Sequence, residues 1–394
     1  MKYEFKGKIT SLNIKEIPFE IFDGRIRFLL RSVVDIDITK KNVHISGSTD
    51  DGKEIHLLID YFWKANFEHT IYENKEVICV PHIEGIISAC AVVNVGCFDK
   101  IDSLGFFSSE IEKITNSHVS GNLNDENTNG MDIKKELASY NQNSNKYHLS
   151  IGFVENYPAY KWQLLELRSN NFFDISMMRD SYWTIKKLLS FLYQKRIVPI
   201  QEIYLRNQEE NVGQLFVEHI DSYNYIFNSV RCIPIFGWNE KLSSLIQLLV
   251  DKKIYLRHIP IFKDDEKAIT HGRFLMGLIG LENVMDYLKI YVPNKKTKKG
   301  FLSKRIAFCI EMYKSQISNF FDLDSLGNDI ATISEELATI RNKFAHGELN
   351  YDLTMKSSYQ MHFIMLFVLF LQLLMIGFNE EEAKVIVPNI LYIR

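Results

Sequence analysis

The first hundred residues alternate apolar and polar positions over short runs. Turn formers such as Asp23-Gly24 and Asp50-Asp51-Gly52 separate these runs, and alternation bounded by turns is typical of strands with one buried face. The strands predicted in this way cover residues 3–9, 26–30, 43–46 and 55–59. We therefore expect residues 1–110 to form a β-rich N-terminal domain.

A polar block then interrupts the hydrophobic pattern. Residues 111–147 are rich in Asn, Ser, Asp, Glu and Lys and include the stretch SGNLNDENTNG, a composition typical of a loop or linker. Residues 148–235 resume a mixed α/β pattern that continues the N-terminal region. In that segment the pattern predicts strands at 149–154, 162–167 and 200–205 and a helix at 182–193.

Helical spacing dominates residues 236–394. Apolar residues recur there three or four positions apart, which predicts amphipathic helices. The predicted helices cover residues 242–254, 274–290, 302–320, 333–346 and 355–378. The expected fold class is therefore α+β with several domains, in which a β-rich N-terminal region is followed by an all-α helical bundle.

One of these helices is apolar on every side. Residues 363–378, FIMLFVLFLQLLMIGF, contain a single strongly polar side chain, Gln372. The run is shorter than the about 20 residues that span a bilayer, and His362 and Asn379 flank it in place of basic anchors. We expect a helix buried in a core or in a dimer interface, with a membrane anchor as the alternative.

Composition and charge narrow the classes of protein. The chain has 394 residues, 46% of them apolar, with 46 Lys and Arg against 49 Asp and Glu and a net charge of −3. These values exclude wholesale disorder and a histone-like binder of polyanions, so any surface for nucleic acid must be local. The first ten residues, MKYEFKGKIT, lack the apolar run of a secretory signal, and we expect a cytoplasmic protein.

The five cysteines give no sign of a metal centre or of a disulfide framework. Their number is odd and no two form a C-x-x-C pair. We therefore expect buried or free thiols in a reducing compartment, with no metal and no cofactor. The cysteines are Cys79, Cys90, Cys97, Cys232 and Cys309.

Chemistry is concentrated in the helix predicted at 333–346. At about 100° per residue, Leu337, Ile340 and Phe344 share an arc that must face the core. Gly347 follows directly and fits the left-handed position after a helix end. Between the core arc and the solvent side lies a third arc that combines small residues with an acid-base group and a cation; it holds Arg341, Ala345, Ala338, Asn342 and His346.

This arc also has a purely structural interpretation. A His in a last helical turn is stabilised by the helix dipole, and an Arg near an interface often only pairs with an acid. An Arg-x4-His pair alone is therefore a weak signal. An adjacent Asn, a predicted helix and a following Gly make the combination far less frequent, and it occurs once in this chain.

The stretch R-N-K-F-A-H resembles the R-[polar]-x-x-x-H motif of HEPN domains, which are helical bundles and frequently metal-independent ribonucleases. The resemblance extends over residues 265–378, and a β-rich region ahead of such a domain is similar to the ApeA-like anti-phage (abortive-infection) defence proteins. It implies a homodimer and an acid on an earlier helix, for which GRFLMGLIGLENVMDYLKIY supplies Glu282. A salt bridge to a neighbouring helix is the alternative role of Glu282.

The residue chemistry fits cleavage of RNA without a metal. His346 can transfer protons near neutral pH, Arg341 can bind phosphate oxygens in a bidentate fork, and Asn342 can orient the phosphate or the imidazole. Arg341 and His346 diverge by about 140° around a helix. We therefore expect a composite site across a homodimer that leaves 2′,3′-cyclic phosphate and 5′-OH ends. The resemblance adds tRNA as substrate and a phage-derived trigger as partner.

A basic stretch lies between two predicted helices. From 289 to 305 there are seven basic residues and no acid. We predict an arm that contacts RNA phosphates, with a solvated interhelical loop as the alternative. The expected RNA-binding residues are Lys295, Lys296, Lys298, Lys299, Lys304 and Arg305.

The N-terminal half contains no motif that indicates a particular chemistry. Its aromatic residues Tyr61, Phe62, Trp63 and Phe67 fit a β-rich core, with stacking on bases as the alternative. Two other functions compete with the ribonuclease. One is a non-catalytic HEPN module for RNA binding or dimerisation, in which Arg341 and His346 only hold an interface, and the other is a membrane-associated helical protein.

Overall fold

The protein is an α+β chain whose contacts group into two compact units. The first unit comprises Met1–Ile185 and Pro199–Ile226, and the second comprises Lys186–Val198 and Phe227–Arg394. A computed structural model describes residues 4–10, 17–22, 24–28, 40–71, 76–108, 111, 136–157, 160–194, 198–217, 233, 238–255, 270–292, 302–327, 329–347 and 353–391.

Six antiparallel strands of the first unit close into a barrel. They pair in the order β3-β2-β1-β4-β5-β6, and β3 also pairs with β6, with Ile26 opposite Gly85. This last pairing closes the ring and leaves no free edge among the six strands. The strands are β1 (Phe5–Ile9), β2 (Ile17–Phe22), β3 (Arg25–Phe28), β4 (Val43–Thr49), β5 (Glu54–Ile71) and β6 (Glu76–Val93).

Alternation of apolar residues fills the barrel interior. In β2 every second residue is buried, which is the pattern of a strand with one face on a core. The interior contains Ile9, Phe19, Ile21, Ile26, Phe28, Ile45, Ile55, Leu57, Phe62 and further aliphatic side chains. Two glycines bring β1 close to β4, since a Cβ on Gly7 would lie 2.0 Å from the carbonyl oxygen of Ser48.

The remaining strands continue outward from β6 as an open antiparallel sheet. Their order is β6-β12-β11-β7-β10-β9-β8. A helix, α1 (Ile175–Tyr193), follows β10, and a 3-10 turn (Phe98–Lys100) precedes β7. The strands are β7 (Ser103–Phe107), β8 (Glu136–Gln142), β9 (Asn145–Tyr157), β10 (Tyr160–Ser169), β11 (Glu202–Asn207) and β12 (Glu210–Phe216).

The prediction of a polar loop over 111–147 is wrong at its C-terminal end. Residues 136–142 form β8 and residue 145 begins β9, because Tyr140 and Tyr147 are buried in spite of the polar surroundings. Asn143 and Ser144 make the turn between the strands with positive φ values of 49° and 66°. The rest of that segment, apart from Ile111, lies outside the described residues.

The helix predicted at 182–193 begins earlier than expected. It starts at Ile175, where Asp174 accepts a hydrogen bond from the N–H of Met177 at 2.8 Å, the geometry of an N-cap. The predicted strands at 149–154, 162–167 and 200–205 all fall on observed strands, with shifted ends. One sheet thus runs through both the 1–110 and the 148–235 segments.

The second unit is helical. The longest predicted helix before the motif, 302–320, is broken at Tyr313, so two helices replace it. A final helix, which the pattern did not predict, contains Pro388. The helices of this unit are α2 (Asn239–Val250), α3 (His271–Tyr287), α4 (Leu302–Met312), α5 (Lys314–Ile317), α6 (Ile330–Ala345), α7 (Met355–Ile376) and α8 (Glu380–Leu391).

Helix α7 is the core helix of the second unit. Phe363, Phe367 and Phe370 are fully buried, and α3, α8 and α2 pack around the helix. It is long and apolar enough to cross a membrane, but 83% of its most apolar stretch is buried inside the protein. The expectation of a buried helix is confirmed.

Candidate functional site

Helix α6 presents the R-N-K-F-A-H motif at its C-terminal end. Asp329 caps the first turn by accepting from the N–H of Thr332 at 2.9 Å. Leu337, Ile340 and Phe344 are buried as predicted, which fixes the rotation of the helix and directs Arg341 away from the core. Gly347, with φ of 78°, takes the left-handed position beyond the end.

Arg341 binds Glu282 of α3 in a two-pronged ion pair. Its Nε lies 2.5 Å from Oε1 of Glu282, and its Nη2 lies 3.2 Å from Oε2. The side chains retain 30% and 24% of their exposure, so solvent reaches both partners. The acid expected on an earlier helix therefore lies beside the arginine, in the fork geometry that a guanidinium also makes with phosphate.

Asn342 lies next to this pair. The Nη1 of Arg341 points to its Oδ1 at 3.5 Å, a weak contact, and the Asn342 side chain is exposed. Three of the four predicted catalytic residues, Glu282, Arg341 and Asn342, are thus brought together on one surface of α3 and α6.

His346 stands apart from the other three. It is the C-cap of α6, and its backbone N–H donates to the carbonyl oxygens of Asn342 and Lys343 at 3.1 and 3.2 Å. The imidazole is exposed and makes no hydrogen bond or ion pair within the described part of the chain. The ring is accessible to solvent at the C-terminal end of the helix.

A second ion pair lies one helical turn further along α3. Asp286 is four residues after Glu282, about 6 Å along the helix, and binds the Nη2 of Arg305 at 2.7 Å. The Nε of Arg305 donates to the carbonyl oxygen of Ile290 at 3.3 Å. Two acids spaced i, i+4 on α3 therefore each hold an arginine from a different helix, α6 and α4.

Arg305 does not fit its predicted role as an RNA contact. The residue is 4% exposed, and its guanidinium is engaged by Asp286 and by the end of α3. It ties α3 to α4 and has no face left for a phosphate. Lys304 is exposed, and the other predicted RNA-binding residues, Lys295, Lys296, Lys298 and Lys299, lie outside the described residues.

Pairs between α6 and α7 also escaped the sequence reasoning. Glu336, which the wheel places toward solvent, accepts from Lys356 at 2.6 Å and from Gln360 at 2.7 Å. These bonds hold the start of α7 against the middle of α6. Helical spacing alone gives no sign of them, because the partners belong to different helices.

The described thiols match the expectation of buried or free cysteines. Cys90 and Cys309 are buried, and burial raises the pKa of Cys309 to about 12, so it is a poor nucleophile at neutral pH. Within the described residues no group of three or more His, Cys, Asp and Glu side chains is placed to hold a metal ion.

The aromatic residues of β5 divide between the two expected roles. Phe62 is buried in the barrel, as a core residue, whereas Tyr61 on the opposite face is exposed. Tyr61 lies 5.9 Å from the ring of Trp63. Exposed Tyr61 and half-buried Trp63 leave stacking on a partner open on this face of β5.

Comparison of the chain with protein-family models, with curated proteins and with solved structures gives no match.

Proposed function

We propose that the protein is a metal-independent HEPN endoribonuclease of antiviral, abortive-infection defence that acts in the cytoplasm on RNA, with tRNA as the substrate class. The observation that carries the proposal is the two-pronged contact of Arg341 with Glu282 beside Asn342, at the end of a helix that presents His346 to solvent. The second unit is then a HEPN bundle, and Arg341, Asn342, His346 and Glu282 are its catalytic residues.

His346 and Arg341 have separate tasks in the proposed reaction. His346 removes the proton of the 2′-OH or supplies one to the leaving 5′-oxygen. Arg341 stabilises the charge that develops on the phosphate oxygens. Because Glu282 occupies the same fork that a phosphate would take, substrate must displace the carboxylate from Arg341 before the arginine can act.

A second copy of the chain completes the proposed site. Within one chain His346 makes no contact with Arg341, and cleavage needs a proton donor and a proton acceptor on opposite sides of the phosphorus. Two copies facing each other across a two-fold axis supply two histidines and two arginines to one cleft. The products are then a 2′,3′-cyclic phosphate and a 5′-OH.

The basic stretch would guide RNA to this cleft. Within the described residues, Arg305 of this stretch donates to the carbonyl oxygen of Ile290 and binds Asp286, which lies one helical turn along α3 from Glu282. Lys295, Lys296, Lys298, Lys299 and Lys304 are the proposed contacts with phosphate. Arg305 is left out of this set, since it holds the two helices together.

The decisive experiment incubates total RNA with purified full-length protein in EDTA and identifies the new RNA ends. We expect cyclic-phosphate ends with wild type and none with His346→Ala or Arg341→Ala. Thr339→Ala, an exposed position on the same helix, is the matched control and should cleave as wild type does. Full activity of folded His346→Ala protein would overturn the assignment.

The non-catalytic module remains the second candidate, favoured by the saturation of Arg341 by Glu282, as in a structural ion pair. In that case wild type would cleave no RNA with any trigger, and no variant would change this result. Arg341→Ala would still weaken self-association. We do not propose a membrane anchor, because most of the apolar stretch of α7 is buried inside the protein.

A further inference from the structure

Two histidines and a glutamate form a hydrogen-bonded chain on the outer wall of the barrel. The Nε2 of His44 lies 3.0 Å from the Nδ1 of His56, and the Nε2 of His56 lies 2.7 Å from Oε1 of Glu54. Both histidines alternate with core residues, His44 with Ile45 and His56 with Ile55 and Leu57, so they point away from the barrel interior.

Residues 96–98, which follow β6, pack against the hydrogen-bonded histidines and glutamate. The Phe98 ring stacks on the His56 imidazole at 3.4 Å between ring centroids, with an interplanar angle of 6°. The N–H of Gly96 donates to Oε2 of Glu54 at 3.0 Å. His56 is 7% exposed, whereas His44 is exposed to solvent, so the polar network is shielded at His56 and open at His44.

Hydrogen bonding fixes where the protons of the neutral pair lie. Burial acts to raise the pKa of Glu54, but the hydrogen bonds from His56 and Gly96 outweigh it, and the pKa lies below its ordinary value. Glu54 is therefore an ionised acceptor, and His56 carries its proton on Nε2. The Nδ1 of His56 must then accept, so His44 carries its proton on Nε2 and keeps a lone pair on Nδ1.

The first and the second proton added to this histidine pair therefore have different effects on its hydrogen bonds. A proton on Nδ1 of His44 leaves both hydrogen bonds of the chain in place. A proton on Nδ1 of His56 would face the N–H of His44 at 3.0 Å, which replaces a hydrogen bond by repulsion between two donors.

We propose that His44 and His56 act as one coupled proton-binding site, which takes up a single proton at His44 without losing a hydrogen bond and separates the two rings when a second proton binds. The site is a pH-sensitive contact between β4, β5 and the 3-10 turn at Phe98. It is independent of the ribonuclease assignment.

The charged groups around the pair act in both directions. Loss of solvent on the side packed against its neighbours lowers the pKa of His44, and the positive charge of a protonated His56 lowers it further, while Asp174 at the start of α1 and Asp99 of the 3-10 turn raise it. Burial also lowers the pKa of His56, against the raising effects of Glu54 and Asp99. Arg179 of α1 lies nearby and donates to Asn42, two residues before His44.

The direction of the pH effect on stability follows from these shifts. Both histidines have a lower pKa in the folded chain than the value of about 6.5 in an unfolded one. Below that pH the unfolded chain binds more protons, so acid favours unfolding. The stabilisation is complete above about pH 6.5 and is lost as the pH falls.

The test follows the histidine Cε1 protons of full-length protein by NMR between pH 7.5 and 5.0. His44→Gln and His56→Gln identify the two resonances. We expect the rings of wild type to titrate in two steps more than one pH unit apart, and the remaining ring of His44→Gln, freed from the charge of its partner, to titrate at higher pH than it does in wild type. A single common step near pH 6.5 would overturn the proposal.

Chemical unfolding over the same pH range gives an independent readout. The unfolding equilibrium constant of wild type should rise with acidity more steeply than that of the double variant, by about tenfold per pH unit for each additional proton taken up. His148→Gln, an exposed histidine on β9 that contacts neither ring, is the control and should keep the wild-type steepness. Equal steepness in wild type and the double variant would contradict the proposal.

If the double variant fails to fold, Glu54→Gln keeps the size of the side chain and removes the charge that supports His56. We expect the first titration step of this variant to move to lower pH in the NMR experiment. An unchanged first step in Glu54→Gln would also count against the coupled site.

Discussion

At the scale of single residues, the Arg341–Glu282 pair has two opposing effects on the binding of a phosphate. It orders the guanidinium for a bidentate contact, and it blocks that contact while Glu282 remains. The pair is partly exposed, so its contribution to stability is modest, about 0.5–1 kcal/mol. A ligand with the charge and geometry of a phosphate can therefore compete with Glu282 for Arg341.

Glu282→Gln tests this competition. The neutral amide should free Arg341 for phosphate, so we expect RNA binding to be tightened by about two- to fivefold and stability to fall by about 0.5–1 kcal/mol. Fluorescence anisotropy with labelled RNA, in a His346→Ala background that prevents cleavage, measures the affinity.

Glu335→Gln removes the same charge from an exposed position of α6 and controls for the net charge. If both substitutions change affinity equally, Glu282 does not compete with RNA for Arg341. If Glu282→Gln weakens binding, the carboxylate holds Arg341 in the binding geometry and does not block it.

At the scale of elements, α7 is the element on which the helical unit depends. A helix that is apolar on all sides must be covered by neighbours, and α3, α8 and α2 supply that cover. Thr354 and Ser357 form a capping box at its start, and Gly377, with φ of 108°, ends it.

Phe367→Ala should destabilise this unit strongly. The side chain is fully buried between Phe363 and Phe370, and loss of a buried Phe costs about 3–5 kcal/mol through lost contacts and the cavity left behind. Urea unfolding followed by circular dichroism gives the change. Tyr359→Ala, an exposed aromatic on the same helix, should cost less than about 1 kcal/mol, and a similar loss in both would argue against α7 as a core helix.

The basic stretch between α3 and α4 predicts how RNA affinity depends on salt concentration. Replacing Lys295, Lys296, Lys298 and Lys299 by Gln should reduce the slope of log affinity against log salt by about 3, if each lysine neutralises one phosphate. Binding of a catalytically inactive His346→Ala protein to RNA across a salt series measures the slope.

The matched control neutralises four exposed lysines elsewhere, Lys40, Lys41, Lys252 and Lys253. It should leave the slope close to its original value, since the total charge alone does not set phosphate contacts. An identical change of slope in the two quadruple variants would show that the stretch at 295–299 has no special role in binding.

Local patterns predicted most elements and few of the contacts. Periodicity placed α6 within three residues of its observed start because its core stripe is regular. It missed β8 because Asn, Gln and Ser on the exposed face outweigh the buried Tyr140 in composition. The role of Arg305 depends on Asp286, which is distant in sequence, and no short window contains both members of such a pair.

At the scale of the whole molecule, the near-neutral charge conceals local asymmetry. Net charge is −3 over 394 residues, yet the stretch 289–305 contains no acid. A surface that binds RNA thus needs no strongly basic chain. The proposed chemistry belongs to the helical unit, and the barrel and open sheet form a separate unit whose proposed property is proton binding.

Mixing two inactive variants tests whether two chains share one site. If a site takes Arg341 from one chain and His346 from its partner, Arg341→Ala and His346→Ala chains should restore activity when exchanged together. Half of the dimers are mixed after random exchange, and the cleft of each keeps one Arg341 and one His346 from different chains, so we expect activity above that of either variant alone and well below half of the wild-type value.

Each variant alone, carried through the same exchange protocol, provides the baseline. No recovery after exchange that size-exclusion chromatography with two differently tagged chains verifies would mean that both residues act from the same chain. The composite site would then be wrong, although the two residues could still be catalytic.

Strand β6 belongs to the barrel and to the open sheet at once. Its residues pair with β5 along its length, with β3 near Gly85 and with β12 from Cys90 to Val93. A shift of β6 by one residue would therefore reverse the inward and outward side chains of both structures together. Because loss of β6 would disrupt the barrel and the open sheet together, we expect the first unit to unfold in a single cooperative transition.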